Sequence, residues 1–121
     1  MRERDDLISP HLPLTTATFQ ILLALAEGER HGYGIMREVT ERGEGAVRLG
    51  PGTLYGSLKR LLDAGLVAEG AERSDPELGE DRRRYYRLTE LGRSVVSAEA
   101  RRLQALVRVA TARRLIGMAP A

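Results

Sequence analysis

Between Gly50 and Gly65 the chain gathers Thr53, Tyr55, Ser57, Lys59 and Arg60 into one short segment. On a helix turning ~100° per residue, Leu54, Leu58, Leu61 and Leu62 share one side. Thr53, Gly56, Lys59, Arg60 and Asp63 lie opposite, and Tyr55 and Ser57 sit on the flanks. Small residues let such a face approach the floor of a nucleic-acid groove. Hydroxyls and cations can then hydrogen-bond base edges or phosphates. The competing reading is an ordinary solvated face.

A second group follows at Arg82, Arg83 and Arg84, with Tyr85, Tyr86 and Arg87. Strand alternation puts Tyr86 and Leu88 on one face, expected to pack inward, and Arg83, Tyr85 and Arg87 on the other. Arginines so placed can grip phosphate or enter a minor groove. They could equally be the charges that keep an edge strand from aggregating. The tip before them holds Asp75, Glu77, Glu80 and Asp81. Phosphate would repel these, so the extreme tip is expected to stay outside the groove or to move freely. Tyr33, between Gly32 and Gly34, stands where a second helix begins. A helix N-terminus attracts phosphate, and a tyrosine hydroxyl there can add a contact. A half-buried aromatic is the alternative. His31 can cap that helix or touch phosphate weakly.

Catalytic chemistry finds little support. There are two histidines and no cysteine. No His-Glu-x-x-His pair, phosphate loop or nucleophile elbow organises the polar residues. Gly50-Pro-Gly52-Thr-Leu-Tyr-Gly56 falls short of a dinucleotide fingerprint, because the third glycine comes one residue late. No catalytic residue, metal ligand or cofactor is expected, and an enzyme is not the reading.

The elements that would position these groups follow from pattern. Residues 1–13 hold Pro10 and Pro13 and read as an extended arm. Thr15 or Thr16 caps a segment, Ala17–Ala26, that is apolar nearly all round and therefore belongs in a core or a dimer contact. A second helix spans His31–Arg42, followed by a short extended stretch, Ala46–Arg48. Pro51 suits the first position of a third helix that runs to Ala64. Leu66–Glu69 and Arg82–Leu88 read as strands of a hairpin. Thr89 caps a last helix in which Val96, Leu103 and Ala110 recur every seven residues, as do Ala100 and Val107. That seam suits a partner helix. The order predicts a mainly α (α+β) fold, a winged helix-turn-helix with a C-terminal dimerisation helix. Expected divisions are an arm at 1–13, a DNA-binding domain at 14–90, the dimerisation helix at 91–114 and a tail at 115–121.

Composition bounds the rest. A chain of 121 residues with 42% hydrophobic and 30% charged side chains makes one globular domain, which excludes wholesale disorder. No apolar run nears the ~20 residues of a membrane span, so no membrane partner is expected. With no signal-peptide pattern and no cysteine, a cytoplasmic location is expected. The net charge of +2 hides an asymmetry: residues 82–121 carry 10 basic and 2 acidic side chains. A basic segment on an acidic body points to a polyanionic partner.

Three stretches carry a family resemblance. His31-Gly-Tyr-Gly-Ile35 resembles the opening of the second helix in PadR-family transcriptional regulators. Gly52-Thr-Leu-Tyr-Gly-Ser-Leu-Lys-Arg-Leu-Leu-Asp-Ala-Gly-Leu66 resembles the family's recognition helix. Arg83-Arg-Tyr-Tyr-Arg-Leu-Thr-Glu-Leu-Gly92 resembles its wing-to-helix motif. The resemblance implies a homodimeric repressor that binds double-stranded DNA at a pseudo-palindromic operator and releases it on binding a small-molecule effector, here unidentified. It implies DNA contacts from Tyr33, Thr53, Tyr55, Ser57 and Lys59, to which Arg60, Arg82, Arg83 and Arg84 are added on charge. It also implies that the last helix and an N-terminal helix make the dimer. Phe19, Leu22, Val96, Leu103, Val107 and Ala110 are then the expected contacts. Gly56 stands where the family usually has proline. The rival reading is a winged-helix module for ligand sensing or protein interaction without specific DNA binding.

Overall fold

Thr15 begins the central helix of the chain by accepting the Thr18 amide on its hydroxyl at 3.1 Å. In the computed structural model, which describes residues 2–42, 48–79 and 81–117, this helix follows a shorter one. Helix α1 is Arg2–Ile8, continued by a 3-10 turn at Ser9–His11, and α2 is Thr16–Leu25. The expected extended arm is therefore mostly helical. Pro10 and Pro13 lie beyond Ile8, where they end the helix without interrupting it. Ile8 is buried and holds α1 to the core.

Strand β1, Arg30–His31, leads directly into α3, Gly32–Arg42. Gly28 makes the turn before it with φ +149°. Helix α4, Pro51–Asp63, starts at Pro51 as its residue types dictate. It ends at Gly65, whose φ of +76° lets the Gly65 and Leu66 amides reach back to the Leu62 and Leu61 carbonyls at 3.1 and 2.9 Å. Strands β2, Val67–Ser74, and β3, Arg82–Leu88, follow, and α5, Glu90–Ala112, closes the fold. The Ala46–Val47 part of the expected extended stretch lies outside the described residues.

The sheet has three strands in the order β1-β3-β2, all antiparallel. This differs from the expected two-stranded hairpin. β1 pairs Arg30 with Tyr86 and His31 with Tyr85, so β3 is central. β2 also runs five residues beyond Glu69, with an irregular register between Glu69 and Glu72. Ile21, Leu22 and Leu25 of α2, Ile35 and Val39 of α3, Leu54, Leu58 and Leu61 of α4, and Val95 of α5 form one core. Burying each such side chain is worth about 1.5–3 kcal/mol. The architecture is the winged helix-turn-helix with a long C-terminal helix that the element order predicts.

The start of α5 is fixed by an unusually close approach. Thr89 Oγ1 accepts the Gly92 amide at 3.0 Å and donates to the Gly65 carbonyl at 2.6 Å. The Thr89 amide donates to the Leu66 carbonyl at 3.1 Å. Gly92 lies directly against that carbonyl, leaving no room for a Cβ. Further along α5, Glu99 is 1% exposed. Its carboxylate accepts the Leu14 amide at 3.0 Å and both Nε and Nη2 of Arg102. The Arg102 guanidinium, followed by the Leu14 amide, holds the Glu99 carboxyl below its ordinary range against the opposing effect of burial.

Candidate nucleic-acid interface

Helix α4 presents Thr53, Tyr55, Lys59 and Arg60 to solvent, and Tyr55 is 50% exposed. Ser57 departs from this set. It is 3% exposed, and its hydroxyl accepts from Arg60 Nη2 at 3.2 Å. The buried stripe is wide enough to take in the Ser57 flank, so Ser57 cannot meet a base edge and instead steadies Arg60.

Tyr33 stands on the first turn of α3, 43% exposed. Its ring stacks on His31 at 6.4 Å between centroids, and the Arg83 guanidinium lies 5.7 Å from its ring centre. His31 is buried and caps α3: Nδ1 accepts the Gly34 amide at 2.9 Å. In the neutral ring the proton is then on Nε2, which donates to Asp75 Oδ2 at 2.7 Å. That hydrogen bond, with a second from the Glu77 amide, lowers the Asp75 pKa. Of the acidic tip, expected to stand clear or move freely, Asp75 is tied to the start of α3, and Glu80 lies outside the described residues. No local signal links His31 to Asp75, since they are 44 residues apart.

The wing arginines divide by environment. Arg82 is exposed and donates through Nη2 to the Glu72 carbonyl at 2.8 Å. Arg83 is half-buried, and its Nε is buried with no hydrogen-bond partner among the described residues. Arg84 spans Glu69 and Glu72 at 3.3 Å each, and these carboxylates raise its pKa. Its charge is already balanced, so it is the weakest of the three expected phosphate contacts. Tyr86 packs into the core as expected, and Leu88 packs against it half-buried. Tyr85 was expected outward, yet it is buried too. His31 meets its ring edge-on at 5.2 Å, and the Arg73 guanidinium lies 3.5 Å from its centre.

These groups converge. His31, Gly32, Tyr33, Tyr55, Tyr86, Arg82, Arg83 and Arg84 line a cavity of about 250 Å³. It joins the start of α3, the exposed side of α4 and the wing. The Tyr55 hydroxyl rests on Gly32, where a Cβ would come within 2.5 Å of it. Gly32 thus sets where the α4 tyrosine stands, a role its sequence position did not suggest.

The expected dimer residues also divide. Leu22 is 0% and Val96 6% exposed within the single chain, so neither has surface left for a partner. Both belong to the core of the single chain. Phe19, Leu103 and Ala110 are half-buried, and Val107 is exposed. Leu106, Val109, Leu115 and Ile116 extend the exposed apolar surface beyond the residues first singled out.

Residues 21–98 match the Transcriptional regulator PadR-like family. The chain belongs to that family. Among similar proteins, Transcriptional regulator Rv3488 of Mycobacterium tuberculosis is 36% identical over 88 residues, which are 73% of this chain and 76% of that one. A 37.1 kDa protein in transposon TN4556 of Streptomyces fradiae is 39% identical over 84 residues, 69% of this chain, but the match spans only 22% of its length. A PadR family transcription regulator from Clostridium difficile R20291 superposes with a TM-score of 0.67 at 27% identity, covering 80% of this chain and 96% of that one. Bacillus subtilis PadR, solved in complex with operator DNA, shares the fold at a TM-score of 0.59 and 20% identity, covering 88% of this chain and 50% of that one. Both family and fold are those of transcription regulators rather than enzymes. No helix among the described residues is long and apolar enough to cross a membrane.

Proposed function

We propose that this PadR-like chain is a homodimeric repressor that lays α4 in the major groove of a pseudo-palindromic operator. The observation that carries the reading is the cavity joining Tyr33, Tyr55, Arg82 and Arg83 beside the exposed Thr53, Lys59 and Arg60. Hydroxyls and cations from three elements face one concave surface, the arrangement that grips a phosphate backbone while a helix reads base edges. Residues 14–90 form the DNA-binding domain and 91–114 the dimerisation helix. The exposed Leu106, Val107 and Val109 of α5 support the pairing of two protomers. A two-fold dimer sets its half-sites about one turn, ~10 bp, apart. Release follows when an effector binds.

A mobility-shift assay on the DNA flanking the gene tests this. Tyr55→Ala and Lys59→Ala should weaken binding while the far-UV spectrum is kept. Wild-type affinity in both variants would refute the groove assignment. The rival, an interaction or ligand-sensing module, is favoured by one observation: the carboxylate of Asp75 is fixed on His31, the ring on which Tyr33 stacks. It requires that calorimetry against the same DNA give no salt-dependent affinity.

A further inference from the structure

Helices α1 and α5 face each other across an unusual seam. Arg4 and Ile8 of α1 are four apart and share a face; Arg93, Ser94, Ser97 and Arg101 of α5 fall on another. Together they enclose a cavity of about 230 Å³. Ile8 is buried and forms an apolar wall. Ser94 and Ser97 are half-buried, and the three arginines are exposed. Arg93 is steadied by donating Nη2 to the Ala26 carbonyl at 3.2 Å.

The charge balance is what stands out. Six arginines elsewhere, Arg30, Arg37, Arg42, Arg73, Arg84 and Arg102, find carboxylates, and Arg83 lies over the Tyr33 ring. Among the described residues no carboxylate pairs with Arg4, Arg93 or Arg101. Glu3, Asp5 and Asp6 are on the same short helix as Arg4 and make no ion pair with this group. Among the described residues the Ser94 and Ser97 hydroxyls enter no side-chain hydrogen bond either. Three like charges around one small cavity repel, and two free hydroxyls line it. A bound anion would satisfy both at once, through charge-assisted and bidentate hydrogen bonds.

We propose that this seam is a binding site for a small phosphate-type dianion, held by Arg4, Arg93 and Arg101 with Ser94 and Ser97 as hydroxyl donors. The volume suits a phosphate group with at most a short apolar or polyol extension lying on Ile8. None of the lining residues belongs to α3, α4, β2 or β3. The site is therefore separate from the proposed DNA surface. Because it bridges α1 and α5, its occupancy fastens the N-terminal helix to the helix proposed to carry the dimer.

The test is thermal melting of the full chain in inorganic phosphate, against sodium chloride at equal ionic strength. Phosphate should give a saturable rise of roughly 4–6 °C at a tenfold excess over its half-saturating concentration. Arg101→Gln and Arg4→Gln should abolish that rise, and in chloride both should melt no lower than wild type because like-charge repulsion is relieved. Arg83→Ala, in the DNA cavity, should keep it. Glycerol phosphate separates the sources: a larger rise than with phosphate marks a phosphorylated metabolite, and an equal one marks the free ion. The proposal falls if phosphate gives no rise beyond chloride. It falls if the rise is lost in Arg83→Ala but kept in Arg101→Gln. It also falls if Arg101→Gln weakens the dimer in sedimentation, since the guanidiniums would then serve a partner's carboxylates. None of these failures touches the DNA-binding reading, which rests on other residues.

Discussion

Replacing Gly92 by alanine should be among the more damaging single-methyl changes available in this chain. A Cβ built there lies 2.9 Å from the Leu66 carbonyl carbon, closer still to its oxygen, and 3.2 Å from Leu88 Cδ2. Carbon atoms rest comfortably at about 3.5–4.0 Å, so the Leu66 peptide must retreat by at least about 0.6 Å. It is poorly placed to do so. Its carbonyl accepts the Thr89 amide at 3.1 Å, and its own amide closes the end of α4 at 2.9 Å. Overpacking costs about 1–3 kcal/mol and the loosened backbone bond about 1, while alanine returns up to about 1 in helix propensity. A net loss of about 1–3 kcal/mol follows, or roughly 4–12 °C in melting temperature for a domain of this size. Circular-dichroism melts at one fixed protein concentration would measure it. Gly56→Ala is the natural comparison, because a Cβ there meets only Arg60 Nη1 at an ordinary 3.7 Å. It should gain up to about 1 kcal/mol from propensity alone. A Gly92→Ala protein that melts with or above wild type would refute the packing argument.

Glu99→Ala should cost about 2–3 kcal/mol, from lost charge-assisted bonds to Arg102 and the Leu14 amide. Because the folded Glu99 pKa is depressed, its stabilisation is complete above the unfolded value of about 4.3 and disappears as pH falls through the folded one. Melts from pH 7 to pH 3 should therefore converge for wild type and variant at the acid end; a constant gap would contradict the assignment. Gly32→Ala should displace the Tyr55 hydroxyl and weaken DNA binding while moving the melting temperature little, as fluorescence anisotropy and thermal melts together would reveal. Arg83→Ala should weaken binding across all duplex sequences and lower the salt slope by about 1; a loss confined to one sequence would assign Arg83 to base reading instead.

Helix α4 was legible because every device that makes it is local. Pro51 starts it, Leu54, Leu58 and Leu61 define its buried side, and Gly65 supplies the left-handed stop. β3 was legible for its length, yet the burial of Tyr85 was not, because period-two alternation assigns only one face to the core. That second face is covered by His31 and Arg73, both distant in sequence. β1 has two residues and exists only by pairing with β3, so no window of pattern can contain it. The N-terminal helix was masked by prolines that follow it rather than interrupt it. Arg84 looked free for phosphate until the β2–β3 register set Glu72 opposite it. In each case a long-range pairing, absent from any local stretch, decided the outcome.

The two-residue strand β1 has a mechanical consequence. It is hydrogen-bonded to β3 and continues without a break into α3. If Tyr33 and Arg83 grip phosphate as proposed, they are two jaws of one caliper whose gap is set before any duplex arrives. Less ordering is left to be done on binding, which favours affinity. A caliper also has no hinge of its own. In the homodimer proposed above, a signal that loosens the grip would have to change the distance between two calipers, which makes the long lever of α5 the part to watch.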